Sequence, residues 1–231
     1  YYRDAAYLGG TYFSEAAAGP EAALHREALD WLAARRRARG LATTGRLLDV
    51  GAGSGAFLAA ARRQGWDAQG LEISPELADR AQAHSGAVVR TGDFASMALA
   101  DGAFDCVAMW DVLEHCLDPG VFLDRACSLL APGGVLVILT IDAASLFNAV
   151  AHAAWKASGG RVVRPLELLY DKRHNHYFTR ATLRGLLQRH GLRVAHESRH
   201  LHRVRLRCRG RTDELLLEGD SSRTGRSRRV G

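Results

Sequence analysis

Three clusters of residues have types and spacings suited to chemistry. Residues 47–55 read LLDVGAGSG, an apolar strand running into a glycine-rich turn ahead of a helical segment. Gly51, Gly53 and Gly55, with Ala52 and Ser54 between them, let backbone N–H groups approach a ligand at the N-terminus of the next helix. Glu72 ends the following strand-like run, where a carboxylate can accept from both hydroxyls of a ribose. Turn and acid together indicate a nucleoside-containing cofactor, and GAGSGA also satisfies the looser dinucleotide pattern G-x-G-x-x-A. The second cluster is WDVLEH at 110–115, where Asp111, Glu114 and His115 stand at i, i+3 and i+4 and share one face of a helical turn. The third is the basic, His-rich run DKRHNHYF at 171–178. Imidazole titrates near neutral pH, so either histidine cluster offers a general base.

Three features separate the cofactor readings. Asp49 lies inside the strand just before the glycine turn, where a carboxylate repels a pyrophosphate and suits a sulfonium cofactor with a free amino group. TGDF at 91–94 puts Asp93 after the third strand, in place to accept from an exocyclic adenine amine, with Phe94 near the ring. WDVLEH follows the fourth strand, at the carboxyl edge of the sheet where ligands bind in such folds.

The elements that must position these groups follow from periodicity. Strand-like runs cover 46–50, 67–73, 87–90, 104–110 and 134–140, with helices expected near 54–64, 75–84 and 119–130. Ser74-Pro75 and Asp118-Pro119 are N-cap and first-turn pairs, while Gly65 and Pro132-Gly133-Gly134 supply stops. Strands alternating with helices imply a doubly wound, mostly parallel α/β sheet. Upstream, Leu24, Ala28, Trp31 and Leu32 recur at helical spacing after Pro20. That helix runs to 39, and its closing arginines 35–37 and 39 are expected to be solvated. Downstream, 142–170 is largely helical, Thr179 caps a helix carrying Leu183, Leu186 and Leu187, and 192–198 is a sixth strand. Only 203–209, where arginine alternates with Val204, Leu206 and Cys208, fits a seventh, edge strand. The segment 210–231 is expected to be a disordered basic tail, its end GDSSRTGRSRRVG lacking apolar content.

Composition narrows the class further. The 231 residues carry a formal net charge of +6, but residues 199–231 hold ten arginines against four acids, leaving 21 bases and 21 acids in residues 1–198. The basicity is a property of the tail, which argues against a nucleic-acid partner for the body. The longest apolar run, 135–141, is too short to span a bilayer, and no charged-then-apolar leader opens the chain. Cys106, Cys116, Cys127 and Cys208 form no CxxC pair, which favours a reduced, cytoplasmic setting.

The ordered set LLDVGAGSG, GLEIS, GDF, FDCVAMWDVLEHCLDP, LLAPGGVLVILT and HNHYFTRATLRGLLQRHGL, running from 47 to 192, resembles the class I S-adenosylmethionine-dependent methyltransferases. Within that family it is most similar to the small-molecule branch that includes the ubiquinone-biosynthesis O-methyltransferases. The resemblance implies a Rossmann-like, seven-stranded catalytic domain over 41–209, with the aromatic segment and helix of 1–40 capping the cofactor site. It implies that Gly51, Gly53 and Gly55 cradle the methionine part of S-adenosylmethionine above Asp49, that Glu72 binds the ribose and Ile73 packs on the adenine. Asp93 and Phe94 then fix the adenine, Trp110 and Asp111 line the sulfonium end, and Tyr12 and Phe13 close over the cofactor.

Methyl transfer from a sulfonium needs mostly positioning, plus a base where the acceptor is a hydroxyl. His115, His176 and Asp111 are the candidates to do this, with His176 favoured over His174 as the active-site-facing histidine of its loop. In the ubiquinone-type enzymes the positions of Asp111, Glu114 and His115 are implicated in divalent-metal binding; the alternative is that Glu114 and His115 pair with each other or cap the turn, and the reading without a metal is preferred. The expected acceptor is a small molecule methylated at oxygen. Trp155, Tyr170, Tyr177 and Phe178 hint at an apolar or aromatic one. The rival readings are an RNA methyltransferase using the basic tail and a C- or N-methyltransferase of a nucleotide sugar or other metabolite.

Overall fold

The computed structural model describes residues 20–170, 173–198, 204–208 and 211–215. In chain order its elements are α1 (Pro20–Ala38), β1 (Arg46–Val50), α2 (Ala56–Arg63), β2 (Asp67–Glu72), α3 (Pro75–Ser85), β3 (Val88–Thr91), β4 (Phe104–Trp110), α4 (Pro119–Leu129), β5 (Leu130–Leu139), α5 (Leu146–Ala157), α6 (Arg164–Leu169), α7 (Arg180–Arg189), β6 (Val204–Cys208) and β7 (Arg211–Leu215). Five strands form a parallel sheet in the order β3-β2-β1-β4-β5. The strand order reverses between β1 and β4, which makes the carboxyl ends of those two strands the binding crevice of a doubly wound sheet.

The central strands are apolar almost throughout because both of their faces are covered. Leu47, Cys106 and Ala108 point to one face, where Leu29 and Leu32 of α1 and Phe57, Leu58 and Ala61 of α2 pack on them. The alternate residues Leu48, Val50, Val107 and Met109 point to the other face, against Leu123, Ala126 and Leu129 of α4 and the leucines of α7. The caps form as expected: Ser74 accepts from Leu77 N, Asp118 from Gly120 N and Val121 N, and Thr179 from Thr182 N.

β5 begins at Leu130, four residues before the expected start, so Pro132-Gly133-Gly134 lies inside the strand and not ahead of it, and further expectations change. The basic end of α1 is not simply solvated: Arg36 pairs with Asp105 at 3.0 Å and lies over the Trp66 ring, and Arg39 donates to the Gly133 carbonyl at 2.7 Å. These contacts tie α1 to the amino-terminal edge of the sheet, opposite the crevice. The run 192–198 is not a strand; Leu192 still reaches the core beside α7, but every residue after it is exposed, so no apolar face is present to hold it on a sheet.

The chain divides into two units, Tyr1–Arg193 and Val194–Gly231. In the second, β6 falls within the run expected to be a seventh strand, but pairs antiparallel with β7 as a two-stranded sheet of its own. β7 lies in the segment expected to be a tail, and the rest of that segment lies outside the described residues.

Gly55 is where the glycine turn meets α2. It has φ 75°, and a Cβ there would stand 2.6 Å from the Ala81 carbonyl oxygen of α3. Gly55→Ala is therefore expected to cost roughly 2–4 kcal/mol, about 1 for the left-handed backbone and the rest for overpacking against main chain. A urea midpoint within error of the unsubstituted protein, at equal m, would contradict this packing.

Candidate active site

Parallel register brings the functional ends together. Val50 pairs with Leu71 on one side and Met109 on the other, while Glu72 pairs with Thr91 and Trp110 with Leu139. The chain therefore leaves β1, β2, β3 and β4 at Gly51, Ile73, Gly92 and Asp111, all on one edge. Gly51 and Ala52 donate to the Leu71 carbonyl at 2.7 and 3.1 Å, which folds the glycine turn back over β2. Gly51, Gly53 and Gly55 all have positive φ. A Cβ on Gly51 would stand 2.7 Å from Cγ2 of Val112, so this turn and the 111–115 turn are packed against each other.

Two carboxylates lie beneath the glycine turn in contrasting states. Glu72 is buried and fully engaged with main chain: Oε2 accepts from Gly53 N at 2.9 Å, and Oε1 from Ile73 N at 2.9 Å and Ser74 N at 3.1 Å. Each carboxylate oxygen can accept about twice, so one acceptor position remains, on Oε2. Asp49 is 2% exposed, set between Gly70 and Ala108 on the neighbouring strands, and its Oδ1 has no hydrogen-bond partner. Burial, together with the charge of Glu72, pushes its carboxyl well above the usual carboxylate range.

Ile73 is 40% exposed at the mouth of the crevice, where its side chain offers an apolar face. Asp93 is exposed at the head of a turn, its Oδ1 accepting from Ala95 N at 3.1 Å. Phe94, expected beside the adenine, is instead buried against Phe122 in the core, where it anchors the Asp93 turn. Trp110 is half-buried and packs with Phe57 and His25, ring centroids 4.9 and 4.6 Å away, so its ring faces α1 and α2. Tyr12 and Phe13 lie outside the described residues.

The other wall of the crevice is the 111–117 turn. Asp111, at φ 51°, is the non-glycine residue with positive φ among the described residues, a strained conformation of the kind found at functional sites. Glu114 is 1% exposed and neither of its oxygens has a hydrogen-bond partner. Burial, with the Asp111 charge nearby, raises its carboxyl to about 7. The loop at 173–178 is clamped onto this turn: Asn175 N and His176 N donate to the Glu114 carbonyl at 2.8 and 3.0 Å, and Asn175 Nδ2 donates to the His115 carbonyl at 2.8 Å. His115 Nδ1 lies 3.0 Å from the Arg173 carbonyl, so in the neutral ring Nδ1 carries the proton and Nε2 the lone pair.

The clamp also decides between the two loop histidines. An extended loop would point both the same way, but the chain bends at Asn175. His174 lies edge-on to His115 with ring centroids 4.6 Å apart, whereas His176 stacks on Phe178 and reaches the Leu117 carbonyl at 3.3 Å. The histidine beside His115 is therefore His174, not the expected His176. The donor atoms of Glu114, His115 and His174 all lie within 4.8 Å of one another, a set in which His174 stands where Asp111 was expected. His25 was also missed. It is buried on α1, and burial lowers its pKa to about 4. Its spacing to Leu29 and Leu32 marks the same inward face.

Comparison with known proteins bears on what this crevice holds. A family model described as a methyltransferase domain matches residues 22–197. The chain is 33% identical over 147 residues to the ubiquinone biosynthesis O-methyltransferase of Xylella fastidiosa strain 9a5c, covering 60% of this chain and 57% of that protein. It is 34% identical over 133 residues to the enzyme of the same name from Xanthomonas campestris pv. campestris strain B100, covering 54% of each. The chain thus spans little more than half the length of these curated relatives. Among solved structures, magnesium protoporphyrin IX methyltransferase of Synechocystis PCC 6803 with bound SAH superposes with a TM-score of 0.54 at 20% identity, over 82% of this chain and 80% of that one. An SAM-dependent methyltransferase from Archaeoglobus fulgidus superposes with a TM-score of 0.52 at 22% identity, over 71% of this chain and 69% of that one. These structural likenesses concern the fold alone; the family model, which spans the whole parallel sheet and both walls of the crevice, places the chain in the class I S-adenosylmethionine-dependent methyltransferase family.

Proposed function

We propose that this protein transfers the methyl group of S-adenosylmethionine to an oxygen atom of a small-molecule acceptor. The observation that carries the reading is the packing of Gly51 on Val112, which sets the glycine turn directly against the turn bearing Glu114 and His115. On this reading the cofactor lies along the carboxyl edge of β1 and β2. Asp49 faces its ammonium group, Glu72 the ribose hydroxyls, and Ile73 and Asp93 the adenine. Asp111 lines the sulfonium end.

The acceptor hydroxyl enters from the 111–117 side. Its oxygen attacks the methyl carbon in line; the C–O bond forms as the C–S bond breaks, and the electron pair leaves on sulfur as a neutral thioether. The hydroxyl proton passes to Nε2 of His115, whose orientation is held by the Arg173 carbonyl. Because the leaving group is already good, holding oxygen, carbon and sulfur in line supplies most of the acceleration. The balance of 21 bases and 21 acids in residues 1–198 supports a small acceptor over RNA.

The resemblance to the ubiquinone-type enzymes also implies a divalent cation. The residues present fit one: the buried Glu114 carboxylate has no hydrogen-bond partner on either oxygen, and an imidazole stands next to it. A cation held there would take the Nε2 lone pair of His115, and would then replace that ring as the means of deprotonation by lowering the pKa of a hydroxyl bound to it.

Titration calorimetry with S-adenosylmethionine and with NAD tests the cofactor, and transfer of labelled methyl from S-adenosylmethionine to a panel of hydroxylated metabolites tests the reaction. Binding of NAD alone would sink the proposal. His115→Ala is expected to lower kcat about 10²–10⁴-fold while leaving S-adenosylmethionine affinity unchanged. Glu72→Ala is expected to do the reverse, weakening cofactor binding first.

Asp49 yields a prediction that separates stability from binding. A carboxyl whose pKa is raised on folding holds its proton more tightly in the folded state, so stability falls as pH rises above the ordinary value of 3.8. Asp49→Asn removes that slope. The variant is expected to be more stable by roughly 1–3 kcal/mol at pH 7, the gap closing toward pH 4, while binding S-adenosylmethionine about 10–100-fold more weakly. Urea midpoints across pH 4–8 that run parallel for the two proteins would refute the assignment.

A further inference from the structure

We propose that His152, held by Tyr170, selects the acceptor: its Nδ1 takes a hydrogen bond from a second donor on a molecule whose first hydroxyl lies against His115. The acceptor class is then a neutral small molecule with two donors, hydroxyl or amide N–H, separated by an apolar body. This deepens the reading above and rests on it for methyl transfer to that molecule, not for capture of the second donor.

Position carries the first part of the argument. His115, on the crevice wall, opens a row of rings that ends at His152 on α5. Ring centroids lie 4.6 Å apart from His115 to His174, 5.6 Å from His174 to Tyr177, 4.9 Å from Tyr177 to Tyr170 and 5.8 Å from Tyr170 to His152. Neighbouring planes meet at 55–75°, so each ring wedges against the next and the row holds its shape. Such a row offers a largely apolar surface between two polar ends. The far end is fixed at the bridge that closes the segment: Ala143 N donates to the Phe178 carbonyl at 2.8 Å, and the Ala143 carbonyl accepts from Asn148 Nδ2.

Polarity follows from that last carbonyl. A carbonyl only accepts, so Asn148 turns its amide nitrogen toward Ala143 and leaves Oδ1 for another donor. Oδ1 accepts from the Tyr170 hydroxyl at 3.3 Å. A phenol has one proton, and here it points to Asn148. Toward His152 the same oxygen must therefore accept, so Nε2, 2.9 Å away, carries the proton of the neutral ring. That leaves the lone pair on Nδ1, and among the described residues no group donates to it. Asn148 is buried, 7% exposed, whereas His152 is half-buried, so the hydrogen bonds run from the packed base of α5 out to a ring that a ligand can reach. The three side chains set both the orientation and the tautomer of His152 and leave one acceptor open. A carboxylate meeting that lone pair is repelled, and an ether cannot donate to it.

The test is nuclear magnetic resonance of the full chain carrying nitrogen-labelled histidine, saturated with S-adenosylhomocysteine. The probes are hydroquinone and para-biphenol, two diols of different length, each beside its monomethyl ether, which keeps one hydroxyl and loses the second donor. The His152 Nδ1 resonance, identified by its absence in His152→Phe, is expected to shift with at least one diol and not with the matching ether. The shift is expected to disappear in Tyr170→Phe, which keeps the ring and releases His152. Thermal melts of both variants separate a lost contact from a lost fold, and if Tyr170→Phe melts early the comparison rests on His152→Phe. Transfer of labelled methyl from S-adenosylmethionine to the same four compounds is measured in parallel. The diol is expected to exceed its ether in kcat/KM by about 10-fold, and that preference to shrink to about 2-fold in the folded variants, the residue left by having two equivalent hydroxyls. No Nδ1 shift with either diol, or an equal shift with the ether, would overturn the proposal, as would a full diol preference in folded His152→Phe. A shift without methyl transfer upholds the recognition site and removes the methyltransferase reading, and transfer without a shift does the opposite.

Discussion

Val50 is paired with Leu71 on one side and with Met109 on the other, so three adjacent strands end at the same level. The rest of the site depends on that register. It lets the Glu72 carboxylate at the end of β2 reach Gly53 N across the first turn, and it stacks the glycine turn on Val112 after β4. A slip of one residue in β1 would turn Leu47 and Leu48 to the wrong faces and break two core layers at once. The hydrophobic core therefore sets the crevice to the nearest residue, and the loops inherit their positions from it.

Within that frame the protein tolerates carboxylates it does not satisfy. Glu72 takes backbone N–H groups on both oxygens, while Asp49, on the strand beside it, has an oxygen with no hydrogen-bond partner and feels the Glu72 charge in addition to its own burial. On the other wall Glu114 repeats the pattern, buried and without hydrogen-bond partners. A core optimised for stability alone would hold Asn, Gln or an aliphatic residue at such places. Buried carboxylates on both walls of one crevice, with the strained Asp111 on the same turn as Glu114, lower the stability of the fold.

Features written in local chemistry were legible in the chain itself. Strand runs, the Ser74 and Asp118 caps and the glycine turn each rest on neighbouring residues, and the structure places them within a residue or two, except that β5 starts four residues early. What was not legible depends on distant partners. Arg36 looks like a solvated helix end until β4 brings Asp105 to it, and Phe94 looks like a binding residue until α4 supplies Phe122. The run 192–198 has strand propensity, but after Leu192 no side chain finds a core to face, and tertiary context overrides propensity. The preference for His176 over His174 assumed an extended loop, and only the two hydrogen bonds from the loop to the Glu114 carbonyl reveal the bend.

That last case shows how the site divides its labour. The wall with the glycine turn is built from residues close in sequence, on β1 and β2 and their following turns, and so it carries a motif that can be read locally. The opposite wall joins the 111–117 turn to a loop some sixty residues further on, after β5 and three helices. Between those attachments the chain from Asp142 to Phe178 is closed at its base by a bridge between the same two residues. Side chains within that closed segment can change without disturbing the sheet register or the glycine turn. The hydrogen-bonded pair of His152 and Tyr170 lies there, with Tyr177 packed on Tyr170. The fold thus separates a wall fixed by the sheet register from a segment free to vary, and the clamp of Asn175 on His115 is the point at which the two are joined.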